Sequence, residues 1–331
     1  MENVAIWGEK IPGNSQREKK LDMEIKGRKI PRMFQAAKMM STFVGKEYVD
    51  KKELFDSFTY FHAIGNGWEK ETYEDIPTLE VFPVQGSHQA VIVIPGGAYA
   101  FKQSDWDGTG KQNEGDRVAK ALNAYGISAF VLWYRSNPYY FPVPLLDVQR
   151  AIRYLKYQAD KYRIDPEQIS LLGFSAGGYQ SLGFANLICG KNSFPDDYER
   201  DAVDYISDQV QTVAAGYPMV TFRANPSGVF TVMPASGARN LTKRESFINS
   251  YDLIKQFSSQ DIPQFIHYGT KDYMVNPKYT ARYIQVAKEK GCSIQELVLE
   301  GTGHGYGANP KKKTSLFWID EYTQWLKRQR R

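Results

Sequence analysis

The chain has 331 residues, 42% of them hydrophobic and 14% aromatic, with 42 Lys and Arg against 37 Asp and Glu and a formal net charge of +5. That content can bury a substantial core, which excludes disorder over the whole chain and suits one large α/β domain or two small ones. A basic surplus this modest, spread along the sequence, does not by itself imply a polyanion partner.

Residues 1–75 are rich in charge, Met and Phe and lack clean alternation; the stretch "PRMFQAAKMMSTFVGKEYVDKKELFDSF" has helical spacing and reads as part of an extension or cap on the main domain. The main domain is expected over residues 76–331, where apolar runs of strand length alternate with segments of helical spacing. The expected strands are "TLEVFPV", "AVIVIPG", "SAFVLWYR", "ISLLGFS", "TVAAGYPM", "QFIHYGT" and "IQELVLE". Between them "NEGDRVAKALNAYG", "PLLDVQRAIRYLKYQADKYR", "AGGYQSLGFANLI", "ESFINSYDLIKQFSS" and "NPKYTARYIQVAKEKG" read as helices, with Gly126 and Gly291 as stops, and "TSLFWIDEYTQWLKRQ" as the last helix. Continuous apolar strands alternating with helices predict a mostly parallel sheet covered on both faces, an α/β class. Residues from about 219 to 250 are too long and irregular for a plain connection and suggest a lid-like insertion.

The run "ISLLGFSAGG" ends on Ser175 within Gly-x-Ser-x-Gly, after an apolar strand and at the start of a helix. Such a bend exposes the hydroxyl, small residues on either side let the backbone pack tightly, and the helix N-terminus aims N–H groups at developing negative charge. The alternative is an ordinary turn with serine as a helix cap. A serine nucleophile needs a base, and the base needs an orienting acid, in chain order Ser, Asp or Glu, His. Of four histidines, His62 and His88 precede Ser175; His267 sits inside a strand and reads as a core histidine or one supporting the site. His304, in the glycine-rich loop "GTGHGYG" after the last strand, is the candidate base. Asp272, just past the end of the penultimate strand, is the candidate acid, ahead of Asp252 and Asp261, which lie in or after a helix. Backbone N–H groups of Gly97 and Ala98 in "PGGA", with that of Ala176, are the candidate oxyanion donors.

Assembled in this order, "PGGAY", "EGDRVAKALNAYGISAFVLWYR", "PLLDVQRAIRYLK", "ISLLGFSAGG", "GTKDYMVN" and "GTGHGYG" resemble the α/β-hydrolase fold, in its esterase/lipase branch related to acetyl xylan esterases and hormone-sensitive-lipase-like enzymes. The resemblance runs from about Pro77 to the C-terminus, and "AIWGEKIPG" looks like the family's usual opening. It implies a serine carboxylesterase without cofactor or metal, with a Ser175, Asp272 and His304 triad, acting on a small-molecule ester with a short acyl group such as acetyl on a carbohydrate. Two departures stand out: Ala98 takes the place of a third glycine, and a long segment separates the opening from the first strand. An amidase, formamidase or exopeptidase on the same triad, or a non-catalytic binding protein on this fold, are the competing readings.

Other signals carry less. Cys189 and Cys292 have no ligand or disulfide spacing, and with no long apolar run at the N-terminus the expectation is a cytoplasmic protein with free thiols, no membrane span and an open oligomeric state. "DWDGTGKQNEGD" is a poor calcium loop, "GTGHGYG" lacks the context of a dinucleotide site, and the basic groups at 311–313 and at the C-terminus read as solvated surface with no nucleic-acid partner. Trp68, Trp106, Trp133 and Phe222 could line a pocket, although core is the commoner place for such rings.

Overall fold

A computed structural model describes residues 2–14, 76–99, 113–136, 139–224 and 228–329. Most of the N-terminal extension, Trp68, Trp106 and residues 105–112 of the calcium-like stretch lie outside the described residues.

The described strands form an eight-stranded sheet in the order β1-β2-β4-β3-β5-β6-β7-β8. They are β1 (Glu2–Ala5), β2 (Thr78–Phe82), β3 (Ala90–Ile94), β4 (Ser128–Trp133), β5 (Ile169–Phe174), β6 (Val213–Gly216), β7 (Gln264–Gly269) and β8 (Ile294–Leu299). From β4 to β8 every pairing is parallel, while β1 with β2 and β2 with β4 are antiparallel. All residues of β3, β4, β5, β6 and β7 are buried, which explains their unbroken apolar runs: helices cover both faces.

The helices that matter here are α1 (Asp116–Ala124), α2 (Val143–Tyr157), α3 (Ala176–Gly183), α4 (Leu241–Ser250), α5 (Pro277–Glu289) and α6 (Lys313–Arg328). Two elements differ from expectation. β1 is a strand where the sequence predicts none; it is four residues long, mostly exposed and on the sheet edge, so it has no apolar periodicity to read. The helix expected over "ESFINSYDLIKQFSS" instead begins at Leu241, where the Asn240 side chain accepts the Lys243 N–H at 3.0 Å, and stops at Ser250. Asp252 Oδ1 accepts the N–H groups of Ile254 at 3.0 Å and Lys255 at 3.4 Å, a local turn that competes with helix continuation.

The irregular stretch from residue 219 includes short helices, Val229–Val232 and Ala235–Arg239, before α4. It packs on the turn after β3, where the Thr231 hydroxyl donates to the Ala98 carbonyl at 2.8 Å. Phe222 is fully buried in a ring cluster with Phe141, Tyr179 and Phe247, and Trp133 is also buried.

The parallel order places the carboxyl ends of β3, β5, β6, β7 and β8 along one edge of the sheet. In open α/β sheets that edge is where ligands bind.

Candidate active site

Ser175 occupies the one-residue bend between β5 and α3, with φ 53° and ψ −115°, a left-handed region that a residue bearing a Cβ adopts only when its surroundings impose it. The flanking glycines explain how it is imposed. A Cβ on Gly173 would lie 1.9 Å from the Gly177 carbonyl oxygen, and one on Gly177 would lie 2.0 Å from that of Ile94, so strand and helix meet too closely for any side chain at either position. The Ser175 N–H donates to the Gly216 carbonyl at 2.9 Å, which anchors the bend to β6. Its hydroxyl makes no cap bond to α3, so the helix-cap alternative does not describe it.

The hydroxyl is directed to His304 instead: Oγ lies 2.9 Å from Nε2, and His304 Nδ1 lies 2.6 Å from Asp272 Oδ2. Asp272 leaves the end of β7, and its Oδ1 accepts the N–H groups of Met274 and Val275 at 2.9 Å each, so the loop itself orients the carboxylate. Just beyond, Asn276 caps α5 by accepting the Lys278 N–H at 3.0 Å, with Pro277 opening the helix. Asp272, His304 and Ser175 therefore arrive from three strand ends and form one hydrogen-bonded line.

Burial lowers the basicity of the His304 imidazole, but the charge of Asp272 and its hydrogen bond outweigh that, with Glu114 adding to them, and hold the pKa above the ordinary 6.5. An imidazole so placed and so raised in basicity can accept a proton from the Ser175 hydroxyl. Neither Asp252 nor Asp261 is part of this line; Asp252 is buried and accepts from the Thr221 hydroxyl at 3.1 Å.

Gly97 and Ala98 lie in the turn after β3, and Ala176 opens α3 directly after Ser175. Ala98 has φ 56° and Tyr99 φ 60°, a conformation held by side-chain contacts: the Tyr99 hydroxyl donates to the Ala176 carbonyl at 3.0 Å, and that of Tyr134 to the Pro95 carbonyl at 3.1 Å. The first of these joins the two segments that carry Ala98 and Ala176.

His267 lies in the core, fully buried and stacked on Trp318 with ring centroids 4.4 Å apart and planes 9° apart. Its Nδ1 lies 2.7 Å from the Tyr306 hydroxyl, and burial pushes its pKa down to about 3, so it remains neutral under the sheet edge. Among the described residues no group of three His, Cys, Asp or Glu side chains could hold a metal ion. Two buried residues at the site escaped the sequence reading: Glu114, in a polar run before α1, and Tyr217, the residue after β6.

A family model described as BD-FAE matches residues 82–285, more than half of the chain. The chain belongs to the BD-FAE family. The BD-FAE match takes in Gly97, Ala98, Ser175, Ala176 and Asp272 and ends before His304. Among curated relatives, Endo-1,4-beta-xylanase B of Butyrivibrio fibrisolvens is 28% identical over 65% of this chain and 32% of its own length. Acetylxylan esterase of Xylanibacter ruminicola is 31% identical over 30% of this chain and 19% of its own length. The matched part of the chain thus spans about a third or less of these two relatives. Among solved structures, an acetyl ester-xyloside bifunctional hydrolase from Caldicellulosiruptor lactoaceticus is similar with a TM-score of 0.65 and 26% identity, over 76% of this chain and 88% of that one. The fold of this BD-FAE chain is the α/β-hydrolase fold, with its mostly parallel sheet flanked by helices.

Proposed function

We propose that this chain is a serine carboxylesterase that removes short acyl groups, acetyl first among them, from carbohydrate esters. The observation that carries this reading is the line from Ser175 Oγ through His304 to Asp272, at 2.9 and 2.6 Å. His304 takes the hydroxyl proton as Ser175 attacks the ester carbonyl, and Asp272 holds the imidazole in the tautomer that can receive it. N–H groups of Gly97, Ala98 and Ala176 stabilise the oxyanion, and His304 returns its proton to the leaving alcohol. Water, activated by the same imidazole, then releases the acid and restores Ser175.

The acetyl and carbohydrate parts draw on the similarity to an acetylxylan esterase and to an acetyl ester-xyloside bifunctional hydrolase. A fluorophosphonate probe and a series of p-nitrophenyl esters, run beside acetylated xylo-oligosaccharides, test both levels. Labelling that is lost in Ser175→Ala supports the nucleophile; a folded wild type that resists the probe overturns it. Faster turnover of long-chain than of acetyl esters removes the short-acyl assignment.

A further inference from the structure

Glu114 has no part in the steps above, yet it is buried directly behind the nucleophile, with 2% of its surface exposed. Its Oε2 accepts the Gly96 N–H at 2.8 Å, and its Oε1 accepts the Tyr217 hydroxyl at 2.5 Å. That hydroxyl in turn accepts the Gly307 N–H at 3.1 Å. One carboxylate therefore joins the turn after β3, the end of β6 and the loop that carries His304.

The surroundings are fitted to it closely. A Cβ on Gly96 would lie 2.8 Å from Glu114 Oε2 and 2.9 Å from Ser175 Cβ, so bare backbone is all that separates carboxylate from nucleophile. Tyr217 has φ 37°, strained for an aromatic residue, and its conformation is held by the 2.6 Å bond from its N–H to the His267 carbonyl and by the hydroxyl's bond to Glu114. Its ring meets that of His304 edge-on at 4.7 Å. An apolar side chain would fill this space without the desolvation cost of a carboxylate, so packing alone does not account for Glu114.

We propose that Glu114 is a positioning residue of the Ser175 site, fixing the oxyanion turn relative to the loop that carries His304. The proposal rests on the esterase reading above. Fastening the Gly96 N–H to Glu114 sets the start of the turn from which Gly97 and Ala98 donate, and fastening Gly307 through Tyr217 sets the far end of the histidine loop. The groups facing His304 are Ser175 and Asp272 at its two nitrogens, Tyr217 on its ring, and Glu114; Tyr306, two residues on, bonds to neutral His267. Burial keeps the phenols of Tyr217 and Tyr306 far above their usual pKa of 10, so Asp272 and Glu114 supply the negative charge. Burial also raises the pKa of Glu114, against which its bonds from Tyr217 and Gly96 and the charge of His304 act.

Glu114→Gln tests this, because Gly96 and Tyr217 donate to two different oxygens and the amide replaces one of those acceptors with a donor NH2, so the two bonds cannot both be kept as they stand. Wild-type labelling by fluorophosphonate, lost in Ser175→Ala, first checks the esterase reading, so its failure is distinct from failure of this one. The expected result for Glu114→Gln, on p-nitrophenyl acetate, is a kcat lower by about 10- to 10²-fold with KM changed less than about twofold. Loss of the charge also moves the acid limb of kcat/KM to lower pH, and Glu114→Asp returns that limb toward wild type. A folded Glu114→Gln with wild-type kcat and an unmoved limb overturns the proposal, as does a loss of kcat that its smaller folded fraction fully explains. Should Glu114→Gln not fold, Tyr217→Phe cuts the tie to Gly307: lowered kcat at unchanged KM supports the role, and unchanged kcat overturns it.

Discussion

Asp272 divides its carboxylate between two tasks: Oδ2 lies 2.6 Å from His304 Nδ1, while Oδ1 accepts the N–H groups of Met274 and Val275 at 2.9 Å each. Asp272→Asn keeps the size of the group but offers the imidazole an amide that can favour the wrong tautomer. The expected outcome is a folded protein whose kcat on p-nitrophenyl acetate falls by about 10⁴-fold. Activity within about tenfold of wild type would remove Asp272 from the proposed triad.

The base must be neutral to act. With its pKa raised above 6.5 by Asp272 and Glu114 against the opposing effect of burial, His304 is protonated as pH falls through that raised value. The acid limb of kcat/KM therefore has its midpoint above pH 6.5, the position of an unperturbed imidazole. A midpoint below it contradicts the arrangement. In stability the same shift has the opposite sign: the contribution of His304 is present in full below pH 6.5 and is lost as pH rises through the folded value.

His267 behaves in the other sense. Its folded pKa of about 3 lies under the ordinary 6.5, so its contribution is present in full above pH 6.5 and is lost as pH falls toward 3, because the unfolded chain gains a proton that the buried ring refuses. The full effect is on the order of 5 kcal/mol. In His267→Gln, which does not titrate, urea unfolding between pH 7 and pH 4 is expected to show a shallower fall in stability than wild type. Equal slopes would mean that His267 is charged in the folded protein. The substitution also loses the stack on Trp318, so the variant starts from lower stability at neutral pH.

Arg135 and Asp147 form a fully buried ion pair at 2.7 Å, and Asp147 also accepts the Trp7 indole N–H at 2.8 Å. The Arg135 guanidinium reaches on to the Pro12 carbonyl and the Asn14 side chain at 2.7 Å each, so this pair anchors the N-terminal residues that hold β1. Asp147→Ala leaves a buried guanidinium without its carboxylate and is expected to cost about 3 to 5 kcal/mol. Urea denaturation measures the loss, and faster proteolysis near the N-terminus should accompany it. A change under about 1 kcal/mol would mean that the pair contributes no more than an exposed one.

Seven of the eight described strands could be read in the sequence: β3 to β7 as apolar runs such as "AVIVI" and "QFIHYG", which have no polar face to present when helices cover both sides of a parallel sheet, and β2 and β8 as short mixed runs nearer the sheet edges. Ser175, Asp272 and His304 could be singled out because each lies in or just beyond the turn that follows a strand legible in the sequence. The four-residue β1 could not, since an exposed edge strand carries no apolar pattern, and α4 ended early because the Asp252 turn competes with helix propensity. Tertiary structure alone decided that the Ser175 hydroxyl faces His304 and not the start of α3, and that Glu114 lies behind it. Local sequence determines the period and ends of an element through hydrophobic burial and backbone sterics. The link from Glu114 to Tyr217 joins residues 103 apart, and only the packing of separate strand ends along one edge of the sheet brings such groups within hydrogen-bond range.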